Sequence, residues 1–224
     1  FMCRTMITLL PVVGLVGSNN LSTAVIILGI GVLLIFVANP RYLQFLALGG
    51  AGIGFIAVFL AAESYRLERL AIWREPEKYE KGFQTIQGLY AIGSGGILGK
   101  GFGSSLQKLG FVPEAQNDMI FSIVCEETGI LGAFVLILLF VLLIWRLCVL
   151  ALECRDLQGT LLCAGIMSHM AIQVILNIAV VTNTIPNTGI TLPFVSYGGT
   201  SVVFLLGEMG LALSVSNHRY GRLT

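Results

Sequence analysis

Apolar residues gather in six long runs, at about 5–17, 21–39, 42–62, 119–146, 158–182 and 198–217, joined by short polar links and one long polar stretch. A helix needs roughly 20 apolar residues to cross the hydrocarbon of a bilayer, so the pattern predicts six spans, the first of them short. The run 119–146 is long enough to tilt or project, and Gly129 and Gly132 within it permit close helix packing. The run 198–217 follows a Gly-Gly pair and carries Glu208 near its middle. In a six-span arrangement Arg4, Arg41, Arg146, Arg155, Arg219 and Arg222 share one side, while the links 18–20 and 183–197 carry no charge. The positive-inside tendency makes the arginine side cytoplasmic and places 63–118 outside.

That outer stretch is 56 residues with seven basic and seven acidic side chains, long for a connector. Its first part, Glu63 to Trp73, sets Leu67, Leu70, Ala71 and Trp73 near one helical face, which predicts an interfacial helix with Trp73 at headgroup depth. Its second part, Gln84 to Gly103, is glycine-rich yet apolar. We expect a re-entrant or surface-packed segment under protein cover, because irregular backbone is tolerated at membrane depth only there. Gly93, Gly95 and Gly99 are not a dinucleotide fingerprint, since no strand precedes them.

Composition turns these runs into a class. Charged residues are 11% and hydrophobic ones 56%, with mean hydropathy +0.89, whereas soluble domains carry roughly a quarter charged residues. The reading is an all-α polytopic membrane protein, one integral domain over 1–224 with the outer loop 63–118 inside it. A net charge of +1 carries no nucleic-acid footprint. Five cysteines without C-x-x-C spacing suggest neither a disulfide framework nor a zinc site.

Candidate chemistry concentrates in the run from Gly110 to Glu127. Carboxylates next to apolar sequence are costly beside lipid and mark function. Glu114 and Asp118, four apart, share a face if the loop is helical there; alternatively Asp118 caps the next helix at its positive end. Lys100, Gln107, Lys108, Gln116 and Asn117 add polarity, and cations can hold a pyrophosphate while a carboxylate takes a proton. Glu126 and Glu127 lie about 12 Å deeper along a helix. Adjacent residues diverge in direction, so one is expected to face a polar cavity and the other to pair with a neighbouring span. Glu208 reads as ion-pair or hydrogen-bonded packing, His169 as a satisfied helix residue and His218 as a tail residue. Before the last run, Ser196, Tyr197, Gly198 and Gly199 offer a turn and backbone N–H groups that suit an anion; a helix-entry loop capped by Thr200 or Ser201 is the alternative.

Three segments, Tyr90–Gly103 (YAIGSGGILGKGFG), Gln107–Asp118 (QKLGFVPEAQND) and Leu192–Ser201 (LPFVSYGGTS), closely resemble motifs of the SEDS family (FtsW, RodA and SpoVE) in order and spacing. The resemblance runs from about residue 18 onward and is densest over 84–131 and 177–218. It implies a peptidoglycan glycosyltransferase that polymerises lipid II at the outer face of the bacterial plasma membrane, in division, elongation or sporulation. It also implies a ten-span fold, of which this chain carries the C-terminal six, and a class B penicillin-binding protein as partner. The family's essential loop aspartate falls on Asp118. The mechanism expected is inversion by a single displacement. Asp118 would take the proton of the acceptor's 4-hydroxyl, and Lys100 or Lys108, with Mg or Mn as a candidate divalent cation held by Asp118 and Glu114, would balance the leaving pyrophosphate. Ser196, Tyr197, Gly198 and Gly199 would wall the sugar site, with Gln107 and Glu114 as further substrate contacts. Departures are Gln116-Asn117 where many relatives have His-Thr, Asn19-Asn-Leu-Ser-Thr23 where many have Pro-Asp-Leu-Gly-Thr, and Glu208 where many are uncharged. A lipid II flippase and a non-catalytic scaffold for the penicillin-binding partner remain the readings from other classes.

Overall fold

The computed structural model describes residues 2–39, 49, 50, 52, 54 and 64–220. Its helices are α1 (Met2–Asn19), α2 (Leu21–Ala38), α3 (Ser64–Arg74), α4 (Phe83–Ser94), α5 (Ile120–Glu153), α6 (Leu157–Val181) and α7 (Gly199–Tyr220). Four of them, α2, α5, α6 and α7, are long and apolar enough to cross a membrane, and α1 contains a shorter apolar helix, Thr5–Asn19. The expected span 42–62 lies almost wholly outside the described residues. The protein is a multi-pass, all-helical membrane protein.

Two compact units share the chain. The first takes 1–58, 142–172 and 202–224. There α1 packs on α2, and Asn20 caps α2 by accepting from the Thr23 amide at 3.1 Å. Its core joins Leu147, Ile166, Met170, Leu205 and Ala212, beside a second cluster of Leu150, Ala151, Cys163 and Ala164. His169 Nδ1 lies 2.9 Å from Glu208 Oε1 and 3.0 Å from Oε2. The mid-helix carboxylate and the mid-helix imidazole therefore satisfy one another. Among the described residues Cys125, Cys148, Cys154 and Cys163 form no disulfide.

The second unit takes 59–141 and 173–201 and holds the long polar stretch before α5. Its core is built from Met119, Phe121, Ile123 and Phe140 of the α5 region against Val174, Val181 and Leu192. The helix expected from Glu63 to Trp73 is α3. Trp73 Nε1 donates to the Asn183 carbonyl at 2.9 Å and Arg69 to that of Asn187 at 3.3 Å, which ties α3 to the segment after α6. The first half of the glycine-rich stretch is a helix, α4, despite the low helix propensity of Gly88 and Gly93. A Cβ at Gly88 would meet the end of the buried Met119 side chain, which would have to shift.

Past Ser94 the chain turns, and Gly95–Gly103 docks where α5 is broken. Gly129 sits at φ 68° and ψ −171°, inside the α5 run. Such a break leaves helical carbonyls and amides without their i, i+4 partners, and buried groups of this kind must be paired. The loop supplies the partners. Lys100 and Gly101 amides donate to the carbonyls of Glu126 and Glu127 at 3.0 and 2.9 Å, while the Ile130 and Leu131 amides donate to Gly96 and Ile97 at 3.0 and 3.2 Å. A Cβ at Gly95 would overlap the Cys125 carbonyl, and one at Gly99 the Glu127 carbonyl. The glycines are a condition of this contact.

Candidate functional site

Asp118 lies two residues ahead of α5, with its side chain buried. Glu114, in the left-handed region at φ 54°, turns the chain so that its carbonyl accepts from the Asn117 amide at 2.9 Å. Three contacts then fix the backbone that carries the aspartate. Ser196 Oγ donates to the Asn117 carbonyl at 2.7 Å, the Tyr197 amide donates to the Gln116 carbonyl at 2.8 Å, and Asn177 Nδ2 donates to the Asp118 carbonyl at 2.8 Å. Ser196 Oγ also accepts from the Leu192 amide at 2.7 Å.

The carboxylate itself meets α4. Gln84 Nε2 donates to Asp118 Oδ1 at 3.4 Å, and Gln84 Oε1 accepts from Asn187 Nδ2 at 3.2 Å, which sets the orientation of the glutamine amide. Asp118 Oδ2 turns towards Gly189, where an added Cβ would stand 4.0 Å away. Burial pushes the Asp118 carboxyl above the usual carboxylate range, and the charge of Glu114 adds to the rise; hydrogen bonds from its own backbone N–H and from Gln84 offset part of it.

The expected facing pair of Glu114 and Asp118 is not what forms. Glu114 is exposed and accepts from Asn117 Nδ2, while Asp118 points inward. The left-handed turn at Glu114 separates the two side chains that a helix would have stacked. Among the described residues no three His, Cys, Asp or Glu side chains come together to hold a metal.

A second cluster surrounds Glu126 and Glu127. Lys100 Nζ lies 2.7 Å from Glu126 Oε1, and Ser105 Oγ and the Gln107 amide donate to Glu126 Oε2 at 2.5 and 3.3 Å. Lys108 Nζ lies 2.6 Å from Glu127 Oε1. The two glutamates therefore hold two lysines of one loop, in place of the expected cavity and neighbouring span. The wrapping of 100–108 around the start of α5 lets adjacent residues of different direction meet the same segment. Lys100 and Lys108, expected to face pyrophosphate, are each paired with a glutamate here, and each lysine side chain keeps 33% exposure. Gln107 contributes its backbone amide to Glu126, and its buried Oε1 has no hydrogen-bond partner among the described residues.

Of the expected site residues, Ser196 and the Tyr197 backbone join Asp118, and the Tyr197 ring is exposed. Gly198 precedes and Gly199 begins α7. Gln84, Asn177 and Asn187 escaped the sequence reading. Asn177, a fully buried amide within the apolar run of α6, carries the usual signal of a polar residue kept inside a span.

Comparison with known proteins gives the family and the fold. The family described as cell cycle protein FtsW/RodA/SpoVE matches residues 1–221. The chain belongs to this family. Stage V sporulation protein E of Bacillus subtilis is 45% identical over 206 residues, covering 91% of this chain and 56% of that protein. A probable peptidoglycan glycosyltransferase FtsW of Trichlorobacter lovleyi is 35% identical over 214 residues, covering 94% and 56%. Among solved structures, a chain from work on structural coordination of polymerization and crosslinking by a peptidoglycan synthase complex aligns with a TM-score of 0.78 at 31% identity, over 96% of this chain and 61% of that one. The crystal structure of the Thermus thermophilus rod shape-determining protein RodA aligns with a TM-score of 0.64 at 30% identity, over 97% and 56%. This SEDS chain thus spans about half the length of the curated relatives it matches.

Proposed function

We propose that this chain is the catalytic half of a peptidoglycan glycosyltransferase that polymerises lipid II at the outer face of the bacterial plasma membrane. In the step we assign, the acceptor's 4-hydroxyl oxygen attacks the anomeric carbon of the donor sugar. The α-linked bond to pyrophosphate breaks, the pyrophosphate departs with the electron pair, and the new bond is β-1,4. Asp118 accepts the hydroxyl proton. A general base of this kind contributes on the order of 10²–10⁴-fold. The observation that carries the reading is a buried carboxylate with a raised affinity for protons, its backbone held from three directions and one oxygen turned towards a glycine. Such groups are functional-site candidates. A class B penicillin-binding protein is the partner we expect, since one structurally similar chain comes from a complex that couples polymerization and crosslinking.

The test is glycan polymerisation by the full-length protein in detergent, wild type against Asp118→Asn. We expect polymer from the first and little from the second. Normal polymer from the Asn variant refutes the base assignment. A full-length protein that moves lipid II across sealed vesicles and makes no polymer in detergent refutes the enzyme and favours the flippase.

A further inference from the structure

In Gly95–Phe111, whose first part ends the stretch Gln84–Gly103 expected under protein cover, the backbone is docked on α5 but, among the described residues, the side chains of Ile97, Leu98, Phe102, Leu106, Leu109 and Phe111 are all exposed, Phe102 by 88% and Leu98 by 79%. This is a concentration of large apolar side chains that soluble surfaces rarely carry. Its position says what covers it. The Ile97 carbonyl is bonded to the Leu131 amide, so the loop tip sits beside Ile130 and Leu131, which are themselves exposed by 66% and 59%. From there the exposed apolar face of α5 continues through Phe134, Val135 and Leu138.

The depth of that face follows from charge. Between Glu127 and Arg146, α5 has an uncharged run of eighteen residues, Thr128–Trp145. Beyond the break at Gly129, the sixteen residues Ile130–Trp145 cover about 24 Å as helix, of the order of the roughly 30 Å of a hydrocarbon core. Glu126 and Glu127 then mark the edge of the hydrocarbon, and Ile130 and Leu131 lie just within it. Loop residues bonded at that level are within reach of lipid. The charges agree. Lys100 and Lys108 are the only ionisable side chains of 95–111, and each is paired with a glutamate at that edge. Pairing is how charge is tolerated at such depth.

We propose that the tip of the Gly95–Phe111 segment is a lipid-contacting surface: Ile97, Leu98 and Phe102 insert among acyl chains of the leaflet on the loop's side. The Lys100–Glu126 and Lys108–Glu127 pairs sit at the hydrocarbon edge. The outer loop is then anchored to the membrane next to Asp118's own helix. This is independent of the chemistry assigned to Asp118.

The test places the photoreactive residue p-benzoylphenylalanine at Leu98, at Phe102 and, as a control, at the exposed Gln116 of the full-length protein. The protein is reconstituted in vesicles of phosphatidylethanolamine and phosphatidylglycerol, irradiated and analysed by mass spectrometry. A phospholipid adduct at 98 and 102 with none at 116 is the expected result. The probe is itself apolar and aromatic, and two sites guard against one that misfolds. Cross-linking of both probes to another part of the full-length chain or to a protein partner overturns the proposal. Correctly folded protein that yields no lipid adduct at either site overturns it equally.

Discussion

Asn177 and Asp118 are joined by a hydrogen bond of 2.8 Å from the amide of one to the backbone carbonyl of the other, and the same Nδ2 donates to Ile190 at 2.7 Å. One side chain of α6 thus clamps both the aspartate's turn and the segment that follows α6. The clamp is fully buried, so nothing replaces it when it is removed.

Asn177→Ala is expected to destabilise the full-length protein by about 1–3 kcal/mol, the cost of leaving buried carbonyls unpaired. Its polymerase activity should fall together with its thermal midpoint in detergent. Asn177→Asp should be worse, because it presents oxygens to two carbonyl oxygens. A thermal scan in which both variants match wild type removes the clamp from the account.

Asp118→Asn should make the protein more stable at neutral pH while abolishing polymerisation. The sign follows from the raised pKa. A carboxyl that holds its proton more tightly when folded loses stability as pH rises from the ordinary carboxylate value of about 3.9 through its folded value. The neutral amide escapes that loss. The advantage of Asn should therefore be full above the folded pKa and shrink to nothing below about 3.9. Thermal midpoints across that range check it, and an Asn variant less stable than wild type at pH 7 contradicts it. Wild-type activity, which needs the carboxylate, should rise with pH over the same window.

Lys100→Met should cost more than Lys108→Met. The Glu126 side chain is fully buried and that of Glu127 is 14% exposed. Removing the partner of a buried charge typically costs about 3–5 kcal/mol, whereas Glu127 regains some water. Glu126→Gln introduced into Lys100→Met should recover part of the loss. Equal thermal midpoints for the two lysine variants, or no rescue, dispose of this ranking.

Gly129→Ala and Gly99→Ala should both disrupt the docked loop. Each glycine has positive φ and lies where a Cβ would strike backbone of the other segment. Left-handed strain alone costs about 1–3 kcal/mol, and the overlap adds to it. Limited proteolysis within 95–111 should speed up in either variant; unchanged cleavage argues against the docking.

Much of the fold could be read from apolar run length. The runs at 119–146, 158–182 and 198–217 became α5, α6 and α7 with ends shifted by a few residues, except that α5 continues to Glu153, because a run length states where apolar sequence stops and not where a helix does. Asp118 stood out only as one of several acidic residues beside apolar sequence, and the family resemblance rather than the spacing singled it out. Gln84 and Asn187 did not stand out, since amides in polar loops are common and only the fold brings them to one carboxylate. α4 was hidden by Gly88 and Gly93, of which Gly88 faces Met119, far away in sequence. The glutamate pairing of Lys100 and Lys108 was hidden for a similar reason. Spacing gave their nearness to Asp118 in the chain, but the break at Gly129 turns the loop onto Glu126 and Glu127.

The interruption of α5 has a bearing on how the chain is made. The segment that completes this helix is synthesised before it, so it leaves the ribosome with its amides and carbonyls waiting for a partner some thirty residues away. Insertion of α5 and closure of the loop must then be a joint event, and a lesion in 95–103 should be felt during biogenesis as a failure of the helix behind it.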